Sequence, residues 1–195
     1  MDKKASAPPG HIAIIIDGNR RWARARGLQP SEGHAQGAKV LEEINEAAVN
    51  LGIRHFTIWG GSYDNLTKRD SRELKVLDDM YGLWARNGLK NKTIFQKEVR
   101  IRFLGEWPDI LSQETQNAMQ ELEEATQKHS AYYYTYLLGY NGDREMVAGF
   151  NQALQGGVKE ITLDTLKDYL WTKDLPPVDL VIRTGEENPN MSHNS

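Results

Sequence analysis

The sequence predicts an α/β fold with a largely parallel central sheet flanked by helices. Five short apolar runs, typical of strands, alternate along the chain with longer segments whose apolar residues recur at helical spacing. Polar, glycine-containing turns directly follow four of these runs. Right-handed crossovers would place the carboxyl ends of the strands at one edge of the sheet, where open α/β sheets bind their ligands.

The five predicted strands differ in character. Ile12–Ile16 is short and rich in β-branched residues, which is typical of a strand buried on both faces inside a parallel sheet. Val99–Phe103 alternates between apolar and polar residues, and Ala131–Leu138 is rich in tyrosine. The remaining two predicted strands are His55–Trp59 and Val178–Ile182.

Segments of helical periodicity separate these strands. One apolar stripe follows His34 and ends before Gly52, and a second stripe occupies Arg72–Arg86. The other predicted helical segments are Arg20–Arg26, a helix opened by Pro108, Arg144–Gln155 and Leu163–Trp171. Gly27–Gly33 and Tyr63–Arg69 are predicted as loops.

The composition fits a single domain and excludes several function classes. A chain of 195 residues can bury a sizeable core. Its net charge of −3 argues against general nucleic-acid binding, which favours a broad basic surface. The absence of cysteine excludes disulfides, a thiol nucleophile and cysteine-ligated zinc, and it fits a cytoplasmic location.

The ends of the sequence carry two further expectations. Residues 1–10 lack the apolar core of a signal peptide, and we expect them to form a flexible leader. Every apolar run is far shorter than the ~20 residues that span a bilayer, although peripheral membrane contact stays open. The polar residues Glu186–Ser195 directly follow a candidate phosphate-binding segment, so we expect a C-terminal part to be missing from this sequence.

The turn after the first predicted strand has the chemistry of an anion site. Asp17–Asn19 forms the turn, and four of the seven residues from Arg20 to Arg26 are arginines. Backbone N–H groups at a helix start and guanidinium groups both favour a phosphate or diphosphate. The Asp17 carboxylate could hold Mg²⁺ against that diphosphate. The alternative is that Asp17 caps the helix and that the arginines form a solvated face.

Three more polar turns follow strands in the same way. They are Gly61–Asn65, Gly139–Gly142 and Arg183–Gly185. Together with Asp17–Asn19 they would bring carboxylate, amide, hydroxyl and guanidinium groups to one edge of a parallel sheet. The sequence therefore predicts one cleft built from four separate stretches.

Three motifs resemble those of the cis-prenyltransferase (undecaprenyl diphosphate synthase-like) family. HIAIIIDGNRRWA resembles the family's opening signature, an apolar strand followed by DGN-x-RWA, and Gly33-His34 matches the Gly-His that comes next. Ser62–Arg69 resembles the family's Ser-x-(Glu/Asp)-Asn-(apolar)-x-Arg motif. Asp179–Gly185, DLVIRTG, is close to the family's DLVIRTGG. The similarity covers nearly the whole chain in order.

This resemblance implies an isoprenyl transferase. The family adds isopentenyl diphosphate to an allylic diphosphate primer with Mg²⁺, forming a cis double bond and a Z-polyprenyl diphosphate. Its fold is a sheet flanked by helices with a hydrophobic tunnel, usually in a homodimer, and its apolar product would account for peripheral membrane contact. The expected unit is one prenyltransferase domain over residues 11–195, without its C-terminal segment.

The resemblance also implies roles for individual residues. Asp17 would handle Mg²⁺ and the allylic diphosphate, while Ser62 and Asn65 would guide removal of a proton from isopentenyl diphosphate. Arg69 and Arg183 would serve diphosphate binding and loop order. The other substrate-binding residues that it implies are Gly18, Asn19, Arg20, Arg21, Trp22, His34, Tyr63, Asp64, His193 and Ser195.

The chain departs from the family pattern at several positions. Arg20 stands where the family usually has glycine, and His193 stands where arginine is common. Gly61 replaces an aromatic residue that usually precedes the serine. The family's distal aromatic-acidic segment, with a glutamate that helps to hold Mg²⁺, is absent from this sequence.

Two other function classes stay open at this point. A non-catalytic partner subunit of a heteromeric prenyltransferase would be expected to lose Asp17 and Arg21, and both are present. A phosphohydrolase built on an aspartyl phosphate would usually have a second acid two residues after Asp17, where this chain has Asn19.

The apolar stripe of the second long helix also allows two interpretations. It either packs in the core or, by the family resemblance, lines the tunnel with Trp84 or Tyr81 at its floor. The stripe consists of Leu74, Leu77, Met80, Tyr81 and Trp84.

Overall fold

A computed structural model describes residues 8–185, and within that range the chain forms five strands, eight α-helices and one 3-10 turn. The strands are β1 His11–Ile15, β2 His55–Gly61, β3 Val99–Leu104, β4 Tyr132–Leu138 and β5 Leu180–Arg183. The helices are α1 Asn19–Arg24, α2 Pro30–Asn50, α3 Tyr63–Thr67, α4 Ser71–Gly88, α5 Lys92–Gln96, α6 Gln113–Thr126, α7 Gly142–Gln155 and α8 Leu163–Lys167. The 3-10 turn is Trp107–Asp109.

The strands form one sheet in the order β3-β4-β2-β1-β5, and all four neighbouring pairs are parallel. Ile15 at the end of β1 is paired with Trp59 of β2 and with Arg183 of β5. The carboxyl ends of these three strands therefore lie side by side, and the predicted parallel sheet is confirmed.

The core lies between the sheet and helices that pack on it. α4 contacts both α2 and α6, and α6 contacts β3. Short β-branched and aromatic strand residues supply one side of this core, and leucine and methionine from the helices supply the other. Its most deeply buried side chains include Phe56, Ile58, Ile101, Met119, Leu122 and Leu138.

Two helices begin where the sequence predicted loops. α2 begins at Pro30 rather than after Gly33, because proline is well suited to the first turn and Gln29 N–H donates to the Glu32 carboxylate. The predicted loop Tyr63–Arg69 contains α3, whose first turn is capped by the Ser62 hydroxyl.

Two other predicted elements differ in length or burial. α8 ends at Lys167 instead of Trp171, because the N–H groups of Tyr169 and Leu170 bond to carbonyls only three residues back. The fifth strand was predicted over Val178–Ile182, whereas β5 runs over Leu180–Arg183 and its residues are exposed in the described part of the chain. The exposed fractions of Leu180, Val181 and Ile182 are 44%, 58% and 40%.

The predicted leader is described only from residue 8 onward. Gly10 N–H donates to the Asp179 carboxylate, and the Gly10 carbonyl accepts from His55 N–H. His193 and Ser195 lie outside the described residues. Within the described range, no helix combines the length and apolar character that crossing a membrane requires.

Candidate active site

A cavity of about 530 Å³ lies at the carboxyl edge of the sheet. Its polar lining consists of Asp17, Asn19, Arg20, Arg21, Arg24, His34, Asn65, Arg69 and Arg183. Its apolar and aromatic lining includes Leu41, Leu77, Met80, Tyr81, Trp84, Phe103, Tyr136 and Leu138. The cavity therefore combines a cationic region with an apolar one, which suits a ligand that has an anionic head and an apolar tail.

Asp17 lies between two arginines that come from opposite ends of the chain. Its Oδ2 accepts a hydrogen bond from Arg183 Nη2 at 3.0 Å, and its Oδ1 lies 3.4 Å from Arg21 Nη2. Gly18 N–H also donates to Oδ1, at 2.6 Å. Burial alone would raise the pKa of Asp17, but the hydrogen bond from Arg183 and the other contacts hold that pKa below its usual value. The carboxylate is therefore ionised at neutral pH.

The segments after β1 and β5 meet closely beside Asp17. The Thr184 hydroxyl donates to the Asp17 carbonyl at 2.8 Å and accepts from Asp17 N–H at 2.9 Å. Gly18 and Gly185 both have a left-handed backbone, with φ of +97° and +89°. A side chain on Gly18 would bring its Cβ to 3.1 Å from Gly185 Cα, so this approach requires glycine.

Glycines also let α1 and α2 approach each other. A Cβ on Gly33 would lie 2.2 Å from the Asn19 carbonyl oxygen, and a Cβ on Gly37 would lie 2.7 Å from the Asn19 side chain. Asn19 is therefore held against α2, and the arginines of α1 stand beside His34 of α2 at the cavity. Gly33 matters here for packing rather than for a ligand contact.

Glu73 contacts two arginines and one histidine and was not predicted from the sequence. Its Oε1 accepts from Arg69 Nη1, lies 3.3 Å from His34 Nε2 and lies 3.6 Å from Arg20 Nε. Arg69 and Glu73 are four residues apart, which is the one signal in the sequence that could have linked them. The other two contacts come from different helices.

These contacts shift the pKa values of Glu73 and His34. Burial alone would raise the pKa of Glu73, but Arg69, His34 and Arg20 together hold it below its usual value. Burial lowers the pKa of His34, the contact with Glu73 opposes that shift, and Arg69 and Arg20 add to it. His34 is therefore neutral near pH 7, and its Nε2–H donates to the ionised Glu73.

The Ser62–Arg69 motif places its residues in different surroundings. Asn65 and Arg69 line the cavity, whereas Ser62 is buried and its hydroxyl accepts from Asn65 N–H at 3.0 Å. Asp64 pairs with Lys68 on the surface, with side chains that are 59% and 77% exposed. Ser62 therefore fixes the backbone that presents Asn65.

Tyr63 and Trp22 do not line this cavity. The Arg144 guanidinium lies 3.8 Å from the centre of the Tyr63 ring and pairs with Glu106. Tyr63 N–H donates to Asn141 Oδ1 at 2.9 Å. The Gly139–Gly142 stretch thus packs behind the serine motif, and the prediction that it also lines the cleft is wrong.

Trp22 stacks under Arg26, whose guanidinium lies 4.3 Å from the ring centre. It borders a smaller depression lined by α1, α2 and the segments that follow β1 and β5.

The donor set around Asp17 fits Mg²⁺ held jointly with a diphosphate. Within residues 8–185, no group of three or more histidine, aspartate or glutamate side chains is close enough to hold a metal ion by itself. Mg²⁺ commonly takes one or two carboxylates and completes its shell with waters and substrate phosphates. The single ionised carboxylate of Asp17 beside two arginines matches that arrangement.

The fold and the cavity define a class: an α/β protein that binds an anion at the carboxyl edge of a parallel sheet, next to an apolar space. Residues 15–189 match the family model described as putative undecaprenyl diphosphate synthase. The chain therefore belongs to the undecaprenyl diphosphate synthase family of cis-prenyltransferases.

Relatives and solved structures agree with this assignment. The chain is 35% identical over 190 residues to a tritrans,polycis-undecaprenyl-diphosphate synthase (geranylgeranyl-diphosphate specific) of Pyrococcus abyssi, covering 94% of this chain and 71% of the relative. It is 32% identical over 194 residues to an isoprenyl transferase of Thermus thermophilus, covering 94% of this chain and 73% of that relative.

A structure of lavandulyl diphosphate synthase from Lavandula x intermedia, in complex with dimethylallyl diphosphate, superposes with a TM-score of 0.85. It is 28% identical and covers 94% of this chain and 81% of that one. A probable undecaprenyl diphosphate synthase from Campylobacter jejuni superposes with a TM-score of 0.74 at 20% identity, which supports the fold alone. The predicted class, an isoprenyl diphosphate transferase, is confirmed over the two alternatives.

Proposed function

We propose that this chain adds isopentenyl diphosphate to an allylic diphosphate primer and gives a Z-polyprenyl diphosphate. The observation that carries the proposal is the continuity of a cationic region, built around Asp17, with an apolar region along α4. Each substrate has a diphosphate head and an apolar tail, so one cavity can hold both parts of a primer.

The geometry supports separate positions for the two diphosphates. Arg21 and Arg183 approach opposite oxygens of Asp17, at 3.4 and 3.0 Å. We assign Arg183 to isopentenyl diphosphate and Arg21 to the allylic diphosphate, together with Gly18, Asn19, Arg20 and His34. His193 and Ser195, which lie outside the described residues, would extend the isopentenyl site.

Asp17 would hold Mg²⁺, which supplies positive charge that stabilises the departing diphosphate. In the reaction a carbon–carbon bond forms, the primer loses its diphosphate, and isopentenyl diphosphate loses a proton. Asn65 faces the cavity and would orient isopentenyl diphosphate for the loss of that proton. Ser62 would act by holding the backbone that carries Asn65.

The apolar lining of α4, β3 and β4 would hold the prenyl chain as a tunnel. Trp84 lies 4.5 Å from Tyr136 and 5.9 Å from Phe103, measured between ring centres. This aromatic cluster would close the tunnel and limit product length. The proposal also includes a homodimer and a cytoplasmic location, with peripheral membrane contact through the apolar product.

The test is incubation of the 195-residue chain with radiolabelled isopentenyl diphosphate, Mg²⁺ and a series of allylic primers, followed by separation of products by length. We expect label to enter prenyl diphosphates only when a primer and Mg²⁺ are both present. Binding of each diphosphate, measured by calorimetry on the same sample, is read in parallel. A folded chain that neither incorporated label nor bound an allylic diphosphate would contradict the proposal.

A further inference from the structure

Glu73 contacts three side chains that come from three separate segments: it accepts hydrogen bonds from Arg69 and His34 and forms an ion pair with Arg20. Arg20 belongs to α1, His34 to α2, and Arg69 to the linker between α3 and α4. All three line the cavity, and each has its side-chain nitrogen within 3.6 Å of the same Glu73 oxygen. Glu73 therefore connects the α1 and α2 wall of the cavity to the α4 wall.

The charges in this cluster leave a net positive potential toward the cavity. With His34 neutral, the two guanidinium groups of Arg20 and Arg69 exceed the single carboxylate by one charge. Without that carboxylate the two guanidiniums would repel each other at short range, which favours movement toward solvent. Glu73 therefore allows Arg20 and Arg69 to stay close together, and the one remaining positive charge still attracts an anion.

Burial makes the Arg69 and His34 contacts of Glu73 more effective than an ordinary surface ion pair, whereas the Arg20 side chain is 46% exposed. The side chains of Glu73, Arg69 and His34 are 16%, 18% and 11% exposed, so water screens their interactions only in part. Among the described residues, Arg69 Nε is buried and has no hydrogen-bond partner. The Arg69 guanidinium is therefore held through its Nη1 contact with Glu73 rather than through Nε.

Glu73 is also placed to restrain the linker before α4. α3 ends at Thr67 and α4 begins at Ser71, so Arg69 lies between two helices while Glu73 lies in the first turn of α4. Asp70 caps that first turn by accepting from Arg72 N–H at 2.9 Å. The Arg69–Glu73 pair therefore folds the linker onto the helix start, which holds Arg69 at the cavity.

We propose that Glu73 is a positioning residue, which holds Arg20, His34 and Arg69 in one arrangement at the cavity before a diphosphate binds. This inference rests on the proposed function, because the anion that these groups receive is the diphosphate of a substrate. Arranging the donors in advance removes part of the ordering cost of binding. Glu73 itself does not line the cavity and acts through the other three residues.

The experiment compares pyrophosphate binding by the wild-type chain with that of Glu73→Gln, Glu73→Asp and Asp79→Asn, using calorimetry. Asp79→Asn is the matched control, because Asp79 lies on the same helix and its ion pair with Lys75 is exposed. We expect Glu73→Gln to weaken binding about tenfold, as when charge-assisted contacts are lost. Glu73→Asp, which keeps the charge but is shorter, should weaken binding about threefold and Asp79→Asn less than twofold.

A second readout is the pKa of His34, followed by NMR without any ligand. In Glu73→Gln that pKa should fall further, since the contact that favours the charged imidazole is lost while burial, Arg69 and Arg20 remain. An unchanged His34 pKa would overturn the inference. In the Asp79→Asn control it should stay at the wild-type value.

The outcomes separate this inference from the proposed function. A wild-type chain that bound no pyrophosphate would contradict the proposed function itself. Wild-type binding with equal or tighter binding by Glu73→Gln would overturn only the positioning role, because Glu73 would then be neutral toward the anion or a competitor of it. If Glu73→Gln failed to fold, wild-type affinity in Glu73→Asp would overturn that role in the same way.

Discussion

The polar and apolar ends of the cavity are built in different ways. The polar end uses short segments that follow β1, β2 and β5, where a few consecutive residues such as Asp17–Asn19 supply a carboxylate, backbone N–H groups and an amide. The apolar end uses single side chains from α4, β3 and β4, including Trp84, Phe103 and Tyr136. Short stretches of sequence therefore supply the groups that would bind the diphosphate. The space for the apolar tail instead results from packing between elements that are distant in the sequence.

This difference predicts different consequences of substitution at the two ends. A change at the polar end should reduce turnover or weaken one substrate and leave the fold intact, because those side chains contribute little to the core. A change at the apolar end should alter stability and product length together.

The largest effect is expected for Asp17→Ala. Loss of a preorganised charge at a reacting centre should lower turnover by about 10²–10³-fold. The melting temperature should stay near the wild-type value, since Asp17 lies outside the core cluster. Steady-state assays and thermal melts check this. Asp174→Ala removes an exposed partner of Arg102 and serves as the control. Near-normal turnover in Asp17→Ala would exclude a central role for this carboxylate.

The next largest effect separates the two arginines on Asp17. Arg183→Ala should raise the KM for isopentenyl diphosphate about tenfold or more, and Arg21→Ala should do the same for the primer, since hydrogen bonds to charged groups contribute about 1.5–3 kcal/mol. Each variant should leave the KM for the other substrate closer to the wild-type value. Initial rates over a grid of both substrate concentrations measure the split. Weakening of the same substrate in both variants would refute the assignment.

A smaller effect on rate, but a change in product, is expected for Trp84→Ala. Trp84 is half-buried, lines the cavity and packs against Tyr136, so its truncation should lengthen the products with a modest loss of stability. Trp107→Ala is the matched control, because Trp107 is buried in the core and does not line the cavity. That control should cost about 3–5 kcal/mol and keep the product length. Unchanged products in a clearly destabilised Trp84→Ala would assign Trp84 to packing alone.

The smallest effect concerns stability in mild acid. Burial lowers the pKa values of His34 and His55 in the folded chain below 6.5. As the pH falls through 6.5, the unfolded chain therefore takes up more protons than the folded chain, and the free energy of unfolding decreases until the folded-state pKa values are passed.

We expect the melting temperature to decrease between about pH 7.5 and about pH 5.5, the range in which histidines titrate. His34→Gln should make that decrease smaller, because one of the two contributing groups is gone. A melting temperature that rose as the pH fell over this range would contradict the lowered pKa values of these two half-buried histidines.

The comparison also explains which parts of the site could be predicted from the sequence. Asp17, Arg21 and Arg183 follow predicted strands, and a parallel sheet brings strand ends together whatever the helices do. Glu73 could not be found in this way, because two of its three partners, Arg20 and His34, come from other helices. Its spacing from Arg69 was visible, but it did not reveal that Arg69 lines the cavity or that Arg20 and His34 meet the same carboxylate.

The errors in the predicted elements have a related origin. α3 was predicted as a loop because five residues are too few for a helical stripe, and only the Ser62 hydroxyl bond to Asn65 N–H reveals its start. The two interpretations of the α4 stripe could not be separated by periodicity, since a core and a cavity wall both require apolar side chains. In the structure, Leu77 and Trp84 serve both the core and the cavity.

The central claim is that the diphosphate binds at the polar end while the prenyl chain enters the apolar end. Calorimetry at several temperatures, with pyrophosphate and then dimethylallyl, geranyl and farnesyl diphosphate, tests it most directly. Burial of apolar surface makes the heat-capacity change of binding more negative. The account predicts that this change becomes more negative with each added isoprene unit until the cavity is filled. An equal heat-capacity change for all four ligands would show that the tail stays in water, and would contradict the claim.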